Sequence, residues 1–424
     1  MVEYWWAEKH IPTILIRGAR QLLTLRGPKA LRRGPALAEL GIIHDGSLLV
    51  RDGVLVEVGT TRRVENLALA RKAIEVSAVG RVVMPGFVDS HTHLLFPPPG
   101  SYPSELQAGA RALRALTGMR LETRARVHLN AMARHGSTMV EVKTGSGQDE
   151  NTEMKILRVL AALQREPLDV VATFLLRLPP LEPATEEPAS TRRDGPLADF
   201  LGRIRRRRLA AFADLVWDAY PERAACFAEY LAAARHLSLG RKVHAEGAAP
   251  SAAVALAIES GAVSIDHLEH ATADDAGLLG RSQTIATFLP CASFHRDGQY
   301  APARAFIDAG APVALATNFN PHHTPTLNMQ AVVKLACSSM GMTPAEAISA
   351  ATINGAHALG CADKVGSLEP GKSADLLILG ISDYRELAHH FGMNLVHTTM
   401  KRGEIIYQEG EVAPRPPKDL RPAW

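Results

Sequence analysis

The chain has 424 residues, 46% hydrophobic and 21% charged, with a formal net charge of +3. That length exceeds one ordinary globular core and suits a large barrel with a small second domain, in a composition typical of soluble proteins. The charge balance is too mild to argue for nucleic acid and no apolar run is long enough to span a membrane, so neither partner is expected.

In chain order, MVEYWWAEKH lacks the basic start and apolar core of a secretory leader, and a cytoplasmic location is expected. From Ile11 to Val83, runs such as TILIRGARQLLTL and GSLLVRDGVLVEVG read as short strands, and the Asp-Gly of VRDGVLVEVG predicts a hairpin turn. The middle, roughly 86–360, alternates apolar strands with amphipathic helices: STMVEVKTG then TEMKILRVLAALQR, ADLVWDA then ERAACFAEYLAAARHL, RKVHAEG then PSAAVALAIESG. TPAEAISAATINGAHALG supplies a final helix. Repeated β-then-α units predict a parallel sheet, and about eight of them close as a (β/α)₈ barrel. Residues 181–200, rich in Pro, Glu and Arg, read as an exposed excursion, and RIRRRR at 203–208 as a solvated helix face. The end returns to strands in GSLEPGKSADLLILG and VHTTMKRGEIIYQEGEV. The expected fold is therefore α/β: a TIM-like barrel over 86–360, with a small β-sandwich domain built from 1–85 and 361–424. Cys226, Cys291, Cys337 and Cys361 are widely spaced without a CxxC pair, which predicts reduced thiols and no cysteine zinc site.

Barrel active sites lie at the C-terminal ends of the strands. His91 and His93, in PGFVDSHTH, are two apart in an extended segment, so both imidazoles can face one ion. His244 ends GRKVHAEG, His267 ends AVSIDH, and Asn318 ends PVALATN. A lone histidine after a strand is more often structural; four of them, including an HxH, point to a metal site with an open position for water.

PGFVDSHTH with these histidines resembles the amidohydrolase superfamily. The stretches GPKALRRGPALAELGIIHDG, EVKTGSGQDENTEMKILRVL, SIDHLEH, NPHHTPTLNMQAVVKLAC and DYRELAHHFGMNLV are similar to the imidazolonepropionase family, which opens the imidazolone ring in histidine breakdown. The resemblance spans nearly the whole chain. It implies one divalent metal, zinc or iron, held by His91, His93, His244 and the residue at Asn318, with His267 polarising or orienting the reacting group. It further implies that Asn320 contacts the polar end of a small-molecule substrate, and that the chain forms a homodimer.

The chain departs from that family around the pocket. Asn318 stands where the family has an aspartate, and an amide can coordinate weakly but cannot accept the proton. Ser146 replaces a substrate-binding tyrosine, Tyr102 an arginine that grips the propionate, Gly247 an acidic or amide residue, and Leu178 falls near an expected histidine. The stretch from Leu106 to Arg134 is short for the family and lacks a glycine-rich substrate loop. His322 and His323 are the nearby groups able to replace a base or touch substrate, though loop residues of this kind are ordinary. Three readings remain open on sequence: a hydrolase with an altered substrate, an impaired relative serving as a ligand-binding or partner subunit, and a family enzyme that tolerates Asn318. A carboxylated Lys143 bridging two metals is disfavoured, because the family resembled is a one-metal family in which that lysine is structural.

Overall fold

The computed structural model describes residues 12–96, 106–147, 149–164, 167–178, 194–218, 220–245, 250–296 and 298–410. Tyr102, Gly247 and most of the 181–200 excursion lie outside the described residues.

The first end of the chain forms β1 (Ile14–Leu23), β2 (Ile42–Arg51), β3 (Val54–Thr60), β4 (Ile74–Ser77) and β5 (Val82–Pro85). The β2–β3 hairpin turns at Asp52 and Gly53, with φ of 52° and 76°, the paired left-handed conformation that an Asp-Gly turn supplies. A side chain at Gly53 would also collide with the chain, because its Cβ would fall 2.7 Å from the Arg402 carbonyl oxygen.

The barrel strands follow: β6 (Phe87–Asp89), β7 (Ser137–Lys143), β8 (Asp169–Leu176), β9 (Phe212–Val216), β10 (Gly240–Ala245), β11 (Ser264–His267), β12 (Ile285–Phe288) and β13 (Val313–Leu315). They pair in parallel in sequence order. Helices such as Glu150–Ala162, Ala224–His236 and Pro250–Ser260 connect successive strands. A parallel bridge between Thr92 and Phe319 joins the far ends of β6 and β13, beside the HxH.

The stretch predicted as one final helix is two, Pro344–Ala350 and Ile353–Ala358. Thr352 breaks the run (φ −129°, ψ −88°) while its Oγ1 donates to the Ile348 carbonyl at 2.6 Å. The break seats Gly355 against β6, so close that a Cβ would lie 2.7 Å from the Val88 carbonyl oxygen.

The last strands, β14 (Leu376–Leu379), β15 (Val396–Lys401) and β16 (Glu404–Gln408), return to the first five. β14 pairs antiparallel with β5, so both chain ends build one eight-stranded sheet in a sandwich-type domain. Its apolar cluster mixes Ile14, Ile16, Leu22, Leu48 and Val83 with Leu368, Leu376, Ile378 and Met400. Each such side chain contributes roughly 1.5–3 kcal/mol on burial. Removing 363–424 is therefore expected to cost a free energy comparable to the ~5–15 kcal/mol that holds a domain folded, and hydrogen exchange should show β1–β5 unprotected. A truncated chain with native-like protection of those strands would show the two ends to be independent.

The basic run behaves as a surface feature: Arg205 to Arg208 are exposed, and Arg203 pairs with Glu150. All four cysteines are free thiols. Among the described residues, no helix is long and apolar enough to cross a membrane.

Candidate metal centre

The barrel interior is charged, which is unusual for a packed core and bears directly on the site. Glu141, Lys143, Asp214, Lys242 and Asp266 project inward from β7, β9, β10 and β11, all fully or nearly fully buried. Lys143 Nζ donates to Asp214 at 2.5 Å and to Asp266 at 2.7 Å, while Lys242 Nζ donates to Glu141 at 2.9 Å. Burial alone would depress the Lys143 ammonium, but Asp214, Asp266 and Glu141 outweigh it and raise it above its ordinary value. An ammonium held between carboxylates is a structural ion pair, and turning it into a carbamate would set negative charge against negative charge, which weighs against the two-metal scheme.

Above this layer the histidines converge. The His91 and His93 Nε2 atoms lie 3.2 Å apart. Ring centroids separate His91 from His244 by 5.0 Å, His93 from His244 by 5.7 Å and His244 from His267 by 4.4 Å. One ligand atom each from His91, His244 and His267 falls within 4.8 Å of the others, a grouping that includes His267 rather than His93.

The surroundings fix how these rings present themselves. His91 Nδ1 bonds the Asp266 carboxylate at 2.8 Å, and Ser264 Oγ donates to the other Asp266 oxygen at 3.0 Å. Burial opposes charge on Asp266, but the Lys143 ammonium and then His91 hold its carboxyl well below the usual carboxylate range. An ionised Asp266 makes His91 Nδ1 the donor, which leaves the lone pair on Nε2. Burial, then the Lys143 charge, hold His91 well below its ordinary pKa, so the ring is neutral, as a metal ligand must be. His267 Nδ1 is likewise paired with Glu269 at 3.1 Å.

Backbone strain gathers at the same place. His267, Leu268 and Asn318 adopt φ of 78°, 77° and 54°, a region that costs non-glycine residues energy and clusters at functional sites. At His267 it has a visible consequence. Strand alternation would place Asp266 and His267 on opposite sides, yet Asp266 reaches His91 and the His267 ring lies against His244. Asn318 donates its N–H to the His91 carbonyl at 3.1 Å. Its Oδ1 is buried, and no donor among the described residues reaches it. A buried amide oxygen without a donor and several converging imidazoles are donors a divalent ion can take, so the residues present fit such an ion.

The other expected site residues sit around this cluster. Ser146 is buried in the turn after β7, where Gly145 and Gly147 donate their N–H groups to Glu153 at 2.8 and 2.5 Å. The Asn320 side-chain oxygen accepts the N–H of His322 at 3.1 Å and of His323 at 2.5 Å, so it shapes the loop carrying both. His322 is half-buried and His323 exposed, and both rings lie near Phe96, at 6.4 and 6.0 Å. Leu178 packs on the core. The stretch from Leu106 to Arg134 forms two helices, Leu106–Ala115 and Gly118–Arg134.

Sequence reasoning passed over Asp266, Glu269 and Asp89. Their signal was position, one or two residues from a strand-end histidine, but an acid beside a histidine is too common to select on.

His128, from the helix Gly118–Arg134, packs edge-on against Phe319 at 5.0 Å. Burial, aided by Arg124, lowers its pKa from 6.5 to about 4. The unfolded chain therefore binds a proton between those values that the folded chain refuses, and stability is lost as pH falls from 6.5 toward 4. The loss is at most about 3 kcal/mol, and His128→Gln should flatten denaturation midpoints measured across that window. An unchanged slope would show that His128 is not responsible.

Residues 82–406 match the model of the Amidohydrolase family. Among solved structures, an adenosine deaminase from Xanthomonas campestris with bound zinc aligns with a TM-score of 0.69 at 18% identity, covering 95% of this chain and 94% of that one. An amidohydrolase from an environmental sample of the Sargasso Sea aligns with a TM-score of 0.71 at 21% identity, covering 95% of each chain. With the family match, the closed barrel and strand-end histidines define a metal-dependent amidohydrolase. The imidazolonepropionase of Parabacteroides distasonis is 37% identical over 413 residues, 92% of this chain and 98% of the relative, and that of Geobacillus kaustophilus is 35% identical over 434, 94% and 99%. The chain belongs to the imidazolonepropionase family of amidohydrolases. That membership favours a hydrolase over an impaired partner subunit.

Proposed function

We propose that the chain holds one divalent ion, zinc or iron, on His91, His93, His244 and Asn318, and hydrolyses a C–N bond in a cyclic amide or amidine. The relatives' name makes 4-imidazolone-5-propanoate, opened to N-formimidoyl-L-glutamate, the first substrate to test. The observation that carries the reading is the convergence of His91, His93 and His244 at the strand ends, with the Asn318 oxygen buried and without a donor among the described residues.

When bound, the ion acidifies water and polarises a carbonyl. The protein's own groups supply the rest. Asp266 orients His91 and keeps its proton on Nδ1. Asn318 offers an oxygen but has no carboxylate to receive a proton. That task passes to His267, whose Nδ1 is oriented by Glu269 and whose Nε2 takes the proton from the attacking water and returns it to the leaving nitrogen. Ser146, Asn320, His322, His323 and Tyr102 are the proposed substrate contacts. A homodimer in the cytoplasm completes the proposal, and sedimentation reads the assembly.

The test loads the protein with zinc or with iron and follows 4-imidazolone-5-propanoate beside a panel of small cyclic amides and imides. Metal-dependent opening of any of them is the expected result. Stoichiometric metal with no turnover on any would overturn the hydrolase reading.

A further inference from the structure

We propose that Asp89 is a positioning residue for the metal centre, holding the 317–319 turn so that Asn318 stays against the His91 backbone and offers its carboxamide oxygen to the ion; this rests on the metal reading above. Asp89 ends β6 two residues before His91 and is fully buried. Its Oδ1 accepts the Thr317 N–H at 3.0 Å and its Oδ2 accepts the Thr317 hydroxyl at 2.6 Å. Gripping one residue with both oxygens fixes the rotation of the turn as well as its distance. Because Asp89 lies two residues before His91 in the chain, this grip ties the HxH segment to the turn.

The turn is then pinned along its length. The Thr317 hydroxyl accepts the Phe319 N–H at 2.9 Å. Asn318 donates its N–H to the His91 carbonyl at 3.1 Å, and His93 donates to the Phe319 carbonyl at 2.7 Å. Between these ties Asn318 stands at φ 54°, a left-handed conformation that must be over-determined by its surroundings to persist. Relaxing it to an ordinary φ would re-aim the Asn318 side chain. The ties made by Thr317, on either side of this residue, run to Asp89.

The test titrates the metal-free full-length chain with zinc against a chromophoric chelator. The variants are Asp89→Ala, Thr317→Val, Asn318→Ala and the two doubles pairing each of the first two with Asn318→Ala. Removing an outer-shell partner typically weakens metal affinity about 10–100-fold. Asp89→Ala should fall in that range and Thr317→Val should lose less. Neither should weaken zinc further once Asn318 is alanine, because a residue acting through another is silent when that other is gone. A merely structural Asp89 would lower the melting temperature and leave this coupling at zero. Equal losses with and without Asn318, or no loss at all, overturn the inference. If Asp89→Ala does not fold, the Thr317→Val cycle decides by the same criterion. A wild-type chain that takes up no zinc overturns the metal reading and this inference together. Uptake abolished by His91→Ala but untouched by Asp89→Ala and by Thr317→Val overturns the inference alone.

Discussion

Replacing His91 and His244 together by alanine is expected to lower bound metal from one ion per chain to below about a tenth of that while the chain stays folded. Both rings lie at strand ends in the group of atoms within 4.8 Å, so the pair removes two nitrogen donors at once. Catalytic metal ligands of this kind sit on the fold and are not its core. Losing His91 would be dangerous if it left Asp266 as an uncompensated buried charge. It does not, because Asp266 keeps Lys143 at 2.7 Å and Ser264 at 3.0 Å. Elemental analysis by mass spectrometry reads the metal, and a thermal melt by circular dichroism reads the fold. Unchanged metal content in a folded double variant would place the ion elsewhere.

Asn318→Asp is expected to tighten metal binding and to raise hydrolysis. The substitution keeps the backbone, since aspartate tolerates the left-handed φ almost as well as asparagine. It adds a negative oxygen to a set of otherwise neutral donors and supplies a group able to shuttle a proton, a role typically worth about 10²–10⁴-fold. The gain on 4-imidazolone-5-propanoate should be the smaller one. On the substrate contacts proposed above, Ser146 and Tyr102 replace groups that would grip the propionate, and loose positioning alone costs about 10²-fold. A large rise on that substrate would mean the pocket still holds the family's propionate. A rise confined to the cyclic amide and imide panel supports an altered substrate. Bound metal with no rise on either would show that the missing carboxylate at position 318 is not what limits the chemistry.

Much of the architecture follows from local rules. The Asp-Gly turn at 52–53 needs only two residues that accept positive φ. The strands β7, β9 and β10 are short runs of β-forming residues bounded by turns, and the helices after them carry their own periodicity. His91 and His93 are two apart in an extended segment, so their common side is set by the pleat. These features rest on residues close in sequence, and the amino acids determine them before any packing occurs.

The rest needed the closed barrel. Nothing local joins β5 to β14, because that pairing forms between segments nearly 300 positions apart and is selected by a shared apolar cluster. Two adjacent residues, Asp266 and His267, both serve the site only because the chain turns left-handed where β11 ends, and that strain is imposed by neighbouring strands. Lys143 remains an ammonium because β9 and β11 bring Asp214 and Asp266 to it. Asp89 and Thr317 lie more than 200 residues apart and meet where β13 comes round to β6. Which residue types can serve was written in the chain, but which atoms face one another was decided by closure, since hydrogen bonds and charge pairs between distant strands exist only once the ring is complete.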